Sequence, residues 1–143
     1  SLIRTLTGHS WVVVSLAVLS NGFLASGSSD RSIKIWNPED GSLKRTLTGH
    51  TDYVTSLAVL PNGHLASGSA YWDDSIKIWN PTDGSLVSTL TGHTDSVTSL
   101  TVLPNGYLAS GSSDKSIRIW NPNLSSLSIK HFDWLSFGIE DKI

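Results

Sequence analysis

The stretch TLTGHTDYVTSLAVLPNGHLASGSAYWDDSIKIWNP, Thr46 to Pro81, decides the fold, because most of it occurs three times in the chain. TLTGH stands at Thr5–His9, Thr46–His50 and Thr89–His93, and LASGS at Leu24–Ser28, Leu65–Ser69 and Leu108–Ser112. SIKIWNP or SIRIWNP starts at Ser32, Ser75 and Ser116. His9, His50 and His93 are 41 and 43 residues apart, and the two extra residues sit in one place, where SDRS (Ser29–Ser32) becomes AYWDDS (Ala70–Ser75). A period of this size marks a stacked or radial array of one supersecondary unit.

Within one period the signals are those of β-structure. VTSLAVL (Val54–Leu60) and HLASGS (His64–Ser69) flank Pro61-Asn62-Gly63, a hairpin signal because Asn-Gly tolerates positive φ. SIKIW (Ser75–Trp79) follows as a third strand with β-branched alternation. Asn80-Pro81-Thr82-Asp83-Gly84 breaks it, and SLVSTL (Ser85–Leu90) makes a fourth strand before Thr91-Gly92-His93. Four short antiparallel strands per period of roughly 40 residues describe the blade of a β-propeller.

Composition narrows the classes. The 143 residues are 38% hydrophobic and 15% charged with a net charge of -2, which excludes a basic nucleic-acid arm, an acidic tail and a high-charge disordered segment. No apolar run is long enough for a transmembrane helix, and no secretory leader opens the sequence. With no targeting signal, a cytoplasmic location is the default expectation. Cysteine is absent, which removes disulfides and thiolate metal sites, and the missing initial Met points to a processed product or a fragment.

The Gly-His pairs at residues 8–9, 49–50 and 92–93, with the closing Trp36-Asn37, Trp79-Asn80 and Trp120-Asn121, resemble the WD-repeat (Trp-Asp repeat) β-propeller family. Asn in place of the family's Asp is a departure, though it keeps a short polar side chain suited to the turn. The resemblance covers residues 1–122 and implies an all-β partial propeller of three four-stranded antiparallel blades. The repeats run over about 7–47, 48–90 and 91–122, with 1–6 as an outer strand left from an earlier repeat and 123–143 as a divergent tail.

The resemblance also implies a buried hydrogen-bonded tetrad in each blade: His9, Ser26, Asp30, Trp36; His50, Ser67, Asp73, Trp79; and His93, Ser110, Asp114, Trp120. Asp accepts from imidazole, imidazole pairs with hydroxyl, and a buried indole N–H needs an acceptor. Ser, His and Asp together could form a nucleophilic triad. Three equivalent copies, each with Trp at fixed distance, describe a scaffold instead, so no enzyme, cofactor or metal site is expected. His64 and His131 have no partner at ligand spacing, and Asn123-Leu124-Ser125 is a glycosylation triplet without a leader to expose it to that machinery.

In repeat arrays the shared positions specify the fold, and the differences point at the surface. In related propellers the residues after Gly-His lie on one rim face, together with the tip of the second hairpin. Here they are Trp11, Asp52, Tyr53 and Asp95, with Tyr71 and Trp72 inserted at the hairpin tip. These six are the candidate partner-binding residues, since exposed Tyr and Trp dominate recognition hot spots. The competing reading is that Trp11 and Tyr53 cap the inner strands and that Tyr71-Trp72 is a tolerated insertion. Arg31, Lys34, Lys77, Lys115 and Arg118 recur singly and make no basic stripe, so no nucleic-acid partner is expected.

The expected function is therefore a non-catalytic protein–protein interaction scaffold that binds a peptide or protein on the rim face. The alternatives are the repeat arm of a larger signalling ATPase, or a propeller fragment without independent function. Ser126–Lys130 reads as the third copy's outer strand, and His131–Ser136 as the eroded start of a fourth repeat. Three blades are fewer than the usual four to eight, which leaves two apolar sheet faces uncovered. Either the full-length chain has more repeats, or copies associate, two arcs in a six-bladed homodimer being the simplest symmetric closure.

Overall fold

The computed structural model describes residues 1–123. Eleven strands follow in order: β1 Val13–Val18, β2 Leu24–Ser28, β3 Ser32–Trp36, β4 Leu43–Thr48, β5 Val54–Val59, β6 Leu65–Ser69, β7 Ile76–Trp79, β8 Leu86–Leu90, β9 Val97–Val102, β10 Leu108–Ser112 and β11 Ile117–Trp120. They form two four-stranded antiparallel meanders, β1–β4 and β5–β8, and a three-stranded one, β9–β11. The chain is a partial propeller of three blades. No helix among the described residues is long and apolar enough to cross a membrane.

The local causes are those of the sequence. Asn-Gly at the β1–β2, β5–β6 and β9–β10 turns puts Gly22, Gly63 and Gly106 at φ of 88, 89 and 85°, the left-handed region where a side chain would be strained. Asn21, Asn62 and Asn105 each accept the amide two residues on, a further lock on the turn. The Trp-Asn pairs do the same at the next corner. Asn37, Asn80 and Asn121 accept the amides of Glu39, Thr82 and Asn123 at 3.0–3.1 Å, so Asn serves the turn that Asp would.

The core lies between blades rather than within them. Val54, Leu65 and Trp79 of blade two pack on Leu19, Ala25, Ile33, Ile35 and Leu47 of blade one. Val97 and Leu108 of blade three pack in the same way on Leu60, Ala66, Ile76, Ile78 and Leu90. Both faces of the central blade sheet are thus apolar: Val54, Leu65 and Trp79 face blade one, and Ala66, Ile76, Ile78 and Leu90 face blade three. Arg45 on β4 adds a polar tie, donating to the carbonyls of Thr82 and Asp83 on the next blade at 2.6 and 3.0 Å.

Two expectations meet limits at the ends. Ser1–Leu6 was expected as an outer strand, but residues 1–12 carry no strand, because none of the described sheets supplies them with ladder partners. Side chains of the segment nonetheless occupy an outer strand's place. Leu6 and Arg4 lie at 3.2 and 3.5 Å from where a Cβ on Gly41 would sit, as Leu47 and Arg45 do at 3.5 and 2.9 Å for Gly84. The fourth strand expected at Ser126–Lys130 and the fourth repeat at His131–Ser136 lie outside the described residues.

Candidate functional site

Each blade holds one four-residue relay. In blade two Trp79 Nε1–H donates to Ser67 Oγ at 2.8 Å, Ser67 Oγ–H donates to His50 Nε2 at 2.6 Å, and His50 Nδ1–H donates to Asp73 Oδ2 at 2.9 Å. Blade one repeats it through Trp36, Ser26, His9 and Asp30 at 2.9, 2.6 and 2.8 Å. Blade three uses Trp120, Ser110, His93 and Asp114 at 2.8, 2.6 and 2.7 Å. The carboxylate can only accept, which places an imidazole proton on Nδ1.

The acid is the anchor of the relay. Asp73 Oδ2 also accepts the Thr51 amide at 2.7 Å, and its Oδ1 accepts both the amide and the hydroxyl of Ser75. Burial pushes Asp30 and Asp73 up, but the hydrogen bonds outweigh it and hold both carboxyls well below the usual carboxylate range. Asp114 is held equally low, led by the Ser116 hydroxyl. The relay stitches the loop before the inner strand to the middle strand, the second hairpin and the third strand. Ser67 is wholly buried, with its oxygen occupied by an indole, so it fixes loops and is closed to a substrate.

The stitched loops form one rim, and blade two departs there from its neighbours. The β6–β7 hairpin carries the insertion and lifts Tyr71 and Trp72 out of the surface, their rings edge-to-face at 5.1 Å. Trp72 is 81% exposed, yet its backbone is held: its amide donates to Asp52 Oδ2 at 2.9 Å, while Asp52 Oδ1 accepts the Tyr53 amide at 2.7 Å. The Tyr53 carbonyl accepts the Ala70 amide at 3.0 Å and the Ser69 hydroxyl at 2.9 Å. Asp52, Tyr53, Tyr71 and Trp72 therefore form one cluster. Trp11 sits on blade one and Asp95 on blade three, outside that cluster; Asp95 Oδ1 accepts the Ser96 amide at 2.6 Å.

One candidate changes role. Asp52 was expected as an exposed partner-binding side chain, but it is buried, because its carboxylate is the scaffold on which the inserted loop rests. Sequence reading missed its use, and it also missed Asp74. In blades one and three the left-handed turn position is a cation, Arg31 and Lys115 at φ of 73°; in blade two it is Asp74 at 49°. Partial burial and the charges of Asp73 and Asp95 push the Asp74 carboxyl up, against the opposing pull of His93. The missed signal was available, since Asp74 is the one sign reversal among three aligned positions.

The family described as WD domain, G-beta repeat matches this chain three times, over residues 1–37, 41–80 and 84–121. The chain belongs to the WD40 repeat family. The crystal structure of the WD40 beta propeller domain of Doa1 is similar at 35% identity and a TM-score of 0.78, covering 85% of this chain and 40% of that one. No curated protein matches the sequence. The chain thus spans about two fifths of that solved WD40 propeller. The second and third WD40 matches begin with the outer strand of one blade and end with the third strand of the next, so both span a blade boundary. The opposite rim offers inter-blade clefts, one of them about 340 Å³ and lined by Asn21, His64 and Pro81 among others, far from the aromatic cluster. Among the described residues no three His, Asp or Glu side chains converge as metal ligands.

Proposed function

We propose that this chain is a non-catalytic protein-interaction scaffold whose partner docks on the rim carrying Tyr53, Tyr71 and Trp72. The observation that supports this reading is the Tyr71-Trp72 insertion held by Asp52. A large indole kept in water by a buried carboxylate packs on little besides its neighbour Tyr71, whereas rigid exposed aromatics are the usual anchors of recognition. Asp74 and Asp95 add negative charge beside it, so the partner that fits best is a peptide with an apolar anchor flanked by Lys or Arg.

The test is selection of peptides from an unbiased display library on the immobilised chain, followed by affinity measurement on variants. Selected peptides should be basic, and Trp72→Ala should weaken them by at least about thirtyfold, the scale of a hot-spot residue. Asp74→Arg should weaken them through charge, while Trp11→Ala should leave them unchanged. Equal affinity for the wild type and Trp72→Ala would overturn the reading. The span of two fifths of a WD40 propeller favours a second reading, in which these blades are one arc of a longer chain such as the repeat arm of a signalling ATPase. A phosphate-loop motif in a longer reading frame would identify that case.

A further inference from the structure

We propose that the rim opposite the aromatic cluster binds a proline-rich peptide in the polyproline II conformation, laid across the clefts between the blades. The clefts form one groove. The cleft between blades one and two measures about 340 Å³ and the cleft between blades two and three about 290 Å³, and Asn62 lines both. The floor is built from the Asn-Gly turns, and neighbouring turns meet. A Cβ on Gly63 would lie 3.6 Å from Ser20 Oγ, and one on Gly106 would lie 3.5 Å from Pro61 Cγ. Each turn is closed on itself before any ligand arrives, the amides of Gly22, Gly63 and Gly106 donating to the carbonyls of Leu19, Leu60 and Leu103 at 2.9 Å. The groove is thus preformed, as binding sites usually are.

The hydrogen-bonding character of the groove is one-sided. Asn21, Asn62 and Asn80 line the first cleft, and Asn62 and Asn105 the second. The carbonyl end of each is already taken: Oδ1 of Asn21, Asn62, Asn80 and Asn105 accepts the amide of Phe23, His64, Thr82 and Tyr107, each at 3.0 Å. Those bonds decide which way every side-chain amide points and leave its NH2 end to face the groove as a donor. His64 joins them. Asn62 Nδ2–H donates to His64 Nδ1 at 3.3 Å, so the neutral ring carries its proton on Nε2 and donates as well. Among the described residues the NH2 ends of Asn21, Asn80 and Asn105 reach no acceptor, and no Asp, Glu, Lys or Arg lines either cleft.

The ligand that fits such a groove brings acceptors, no charge and flat apolar faces. A peptide in a β-strand brings an N–H beside every carbonyl, and a sugar hydroxyl brings a proton with its lone pairs; the locked amides can accept neither. Proline has no N–H, and a polyproline II segment makes no internal hydrogen bonds, so its carbonyls are all free to accept. Its conformation is also preset, which lowers the entropy lost on binding. The apolar side is met too. A ring follows each Asn-Gly pair, at Phe23, His64 and Tyr107, the last 38% exposed, and proline rings pack on such faces. The two clefts divide the work. Ser20 stands in the first where the second has Pro61, so hydrogen bonding concentrates at Asn21, Asn62 and Asn80, while Pro61 and Pro104 offer ring faces beyond.

The test is fluorescence anisotropy of a labelled oligoproline titrated with the full chain, beside a Gly-Ser peptide of equal length. Oligoproline should bind with a dissociation constant below the millimolar range, and the Gly-Ser peptide should not bind. Asn62→Asp keeps the oxygen that accepts the His64 amide, and with it the turn, but replaces the donor by a second acceptor. It should weaken oligoproline at least about tenfold with an unchanged circular dichroism spectrum. Asn80→Asp makes the same exchange at a separate corner and should act in the same direction, so a fold defect at one turn does not decide the outcome. Absence of oligoproline binding at millimolar protein, equal binding of the Gly-Ser peptide, or an affinity indifferent to both Asp variants would overturn the proposal. So would loss of binding on Trp72→Ala, which would put the peptide on the other rim. Neither rim's site depends on the other, so each proposal stands or falls by its own variants.

Discussion

Ser67→Ala tests whether the relay is structural, and the structure sets its cost. The hydroxyl accepts from Trp79 Nε1 at 2.8 Å and donates to His50 Nε2 at 2.6 Å, and the three residues are 0, 2 and 6% exposed for Ser67, Trp79 and His50. Its removal leaves two polar atoms that water cannot reach, at roughly 1–3 kcal/mol each. The loss of the small hydroxyl volume adds little beside that. The expected cost is about 2–6 kcal/mol, a large share of the stability of a small array. Ser26→Ala removes the same bonds in blade one, but there a cleft of about 110 Å³ runs beside His9, Ser26 and Trp36, so solvent can replace one partner and the cost should be about half. Urea unfolding followed by circular dichroism, with all variants at one protein concentration and unchanged m-values, measures both. A Ser67→Ala cost below about 0.5 kcal/mol, or a larger cost for Ser26→Ala, would refute the reasoning.

Two further perturbations probe the blade interface and the acid anchors. A Cβ on Gly68 would lie 2.7 Å from both Ser56 Oγ and Val97 Cγ1, so Gly68→Ala must push two blades apart. It should cost roughly 1–3 kcal/mol and lower Tm by several degrees, whereas Gly111→Ala, which among the described residues meets only Ser99 Oγ, should cost less. The second concerns acid. Asp30, Asp73 and Asp114 are held below their unfolded values, so the unfolded chain binds protons that the folded chain refuses. Their stabilisation is complete above the unfolded carboxylate range and drains away as pH falls below about 4. Asp74 has the opposite sign, being raised by burial and its acidic neighbours. Urea midpoints between pH 3 and 7 should therefore show a flatter acid limb for Asp73→Asn and a stability gain at pH 7 for Asp74→Asn.

How much of this was legible in the sequence depended on whether a contact repeats. The strands, the Asn-Gly turns and the twelve relay residues recur in register, and the residues that meet in the relay are those that recur together. Asp52 was misread because its partner, the Trp72 amide, exists only in the blade with the insertion, so no second copy could reveal the pairing. Gly27 and Gly68 sit in the repeated LASGS, but the string does not say that a valine from the next blade, Val54 or Val97, lies against each. That contact joins positions 27 residues apart in one case and 29 in the other, across a blade boundary. The buried hydroxyls of Ser15 and Ser56, which have no hydrogen-bond partner, were likewise invisible, because alternation marks those positions as ordinary strand polar sites.

The three copies also separate what a blade does for itself from what its neighbours do for it. The imidazole and indole of each relay meet at 6.2, 6.2 and 6.1 Å with the same 63° between ring planes. Yet Trp36 and Trp79 are buried while Trp120, at the edge of the described fold, is only half-buried. Identical geometry under unequal burial means that relay geometry is written in local sequence. The neighbouring blade contributes desolvation, which strengthens the same bonds by excluding competing water. Stability should then be highest in the central blade and lowest at the two open faces, the pattern expected of arrays coupled only to nearest neighbours. Covering either open face, by further blades or by a second copy, would raise the end relays toward the strength of the central one without moving an atom of them.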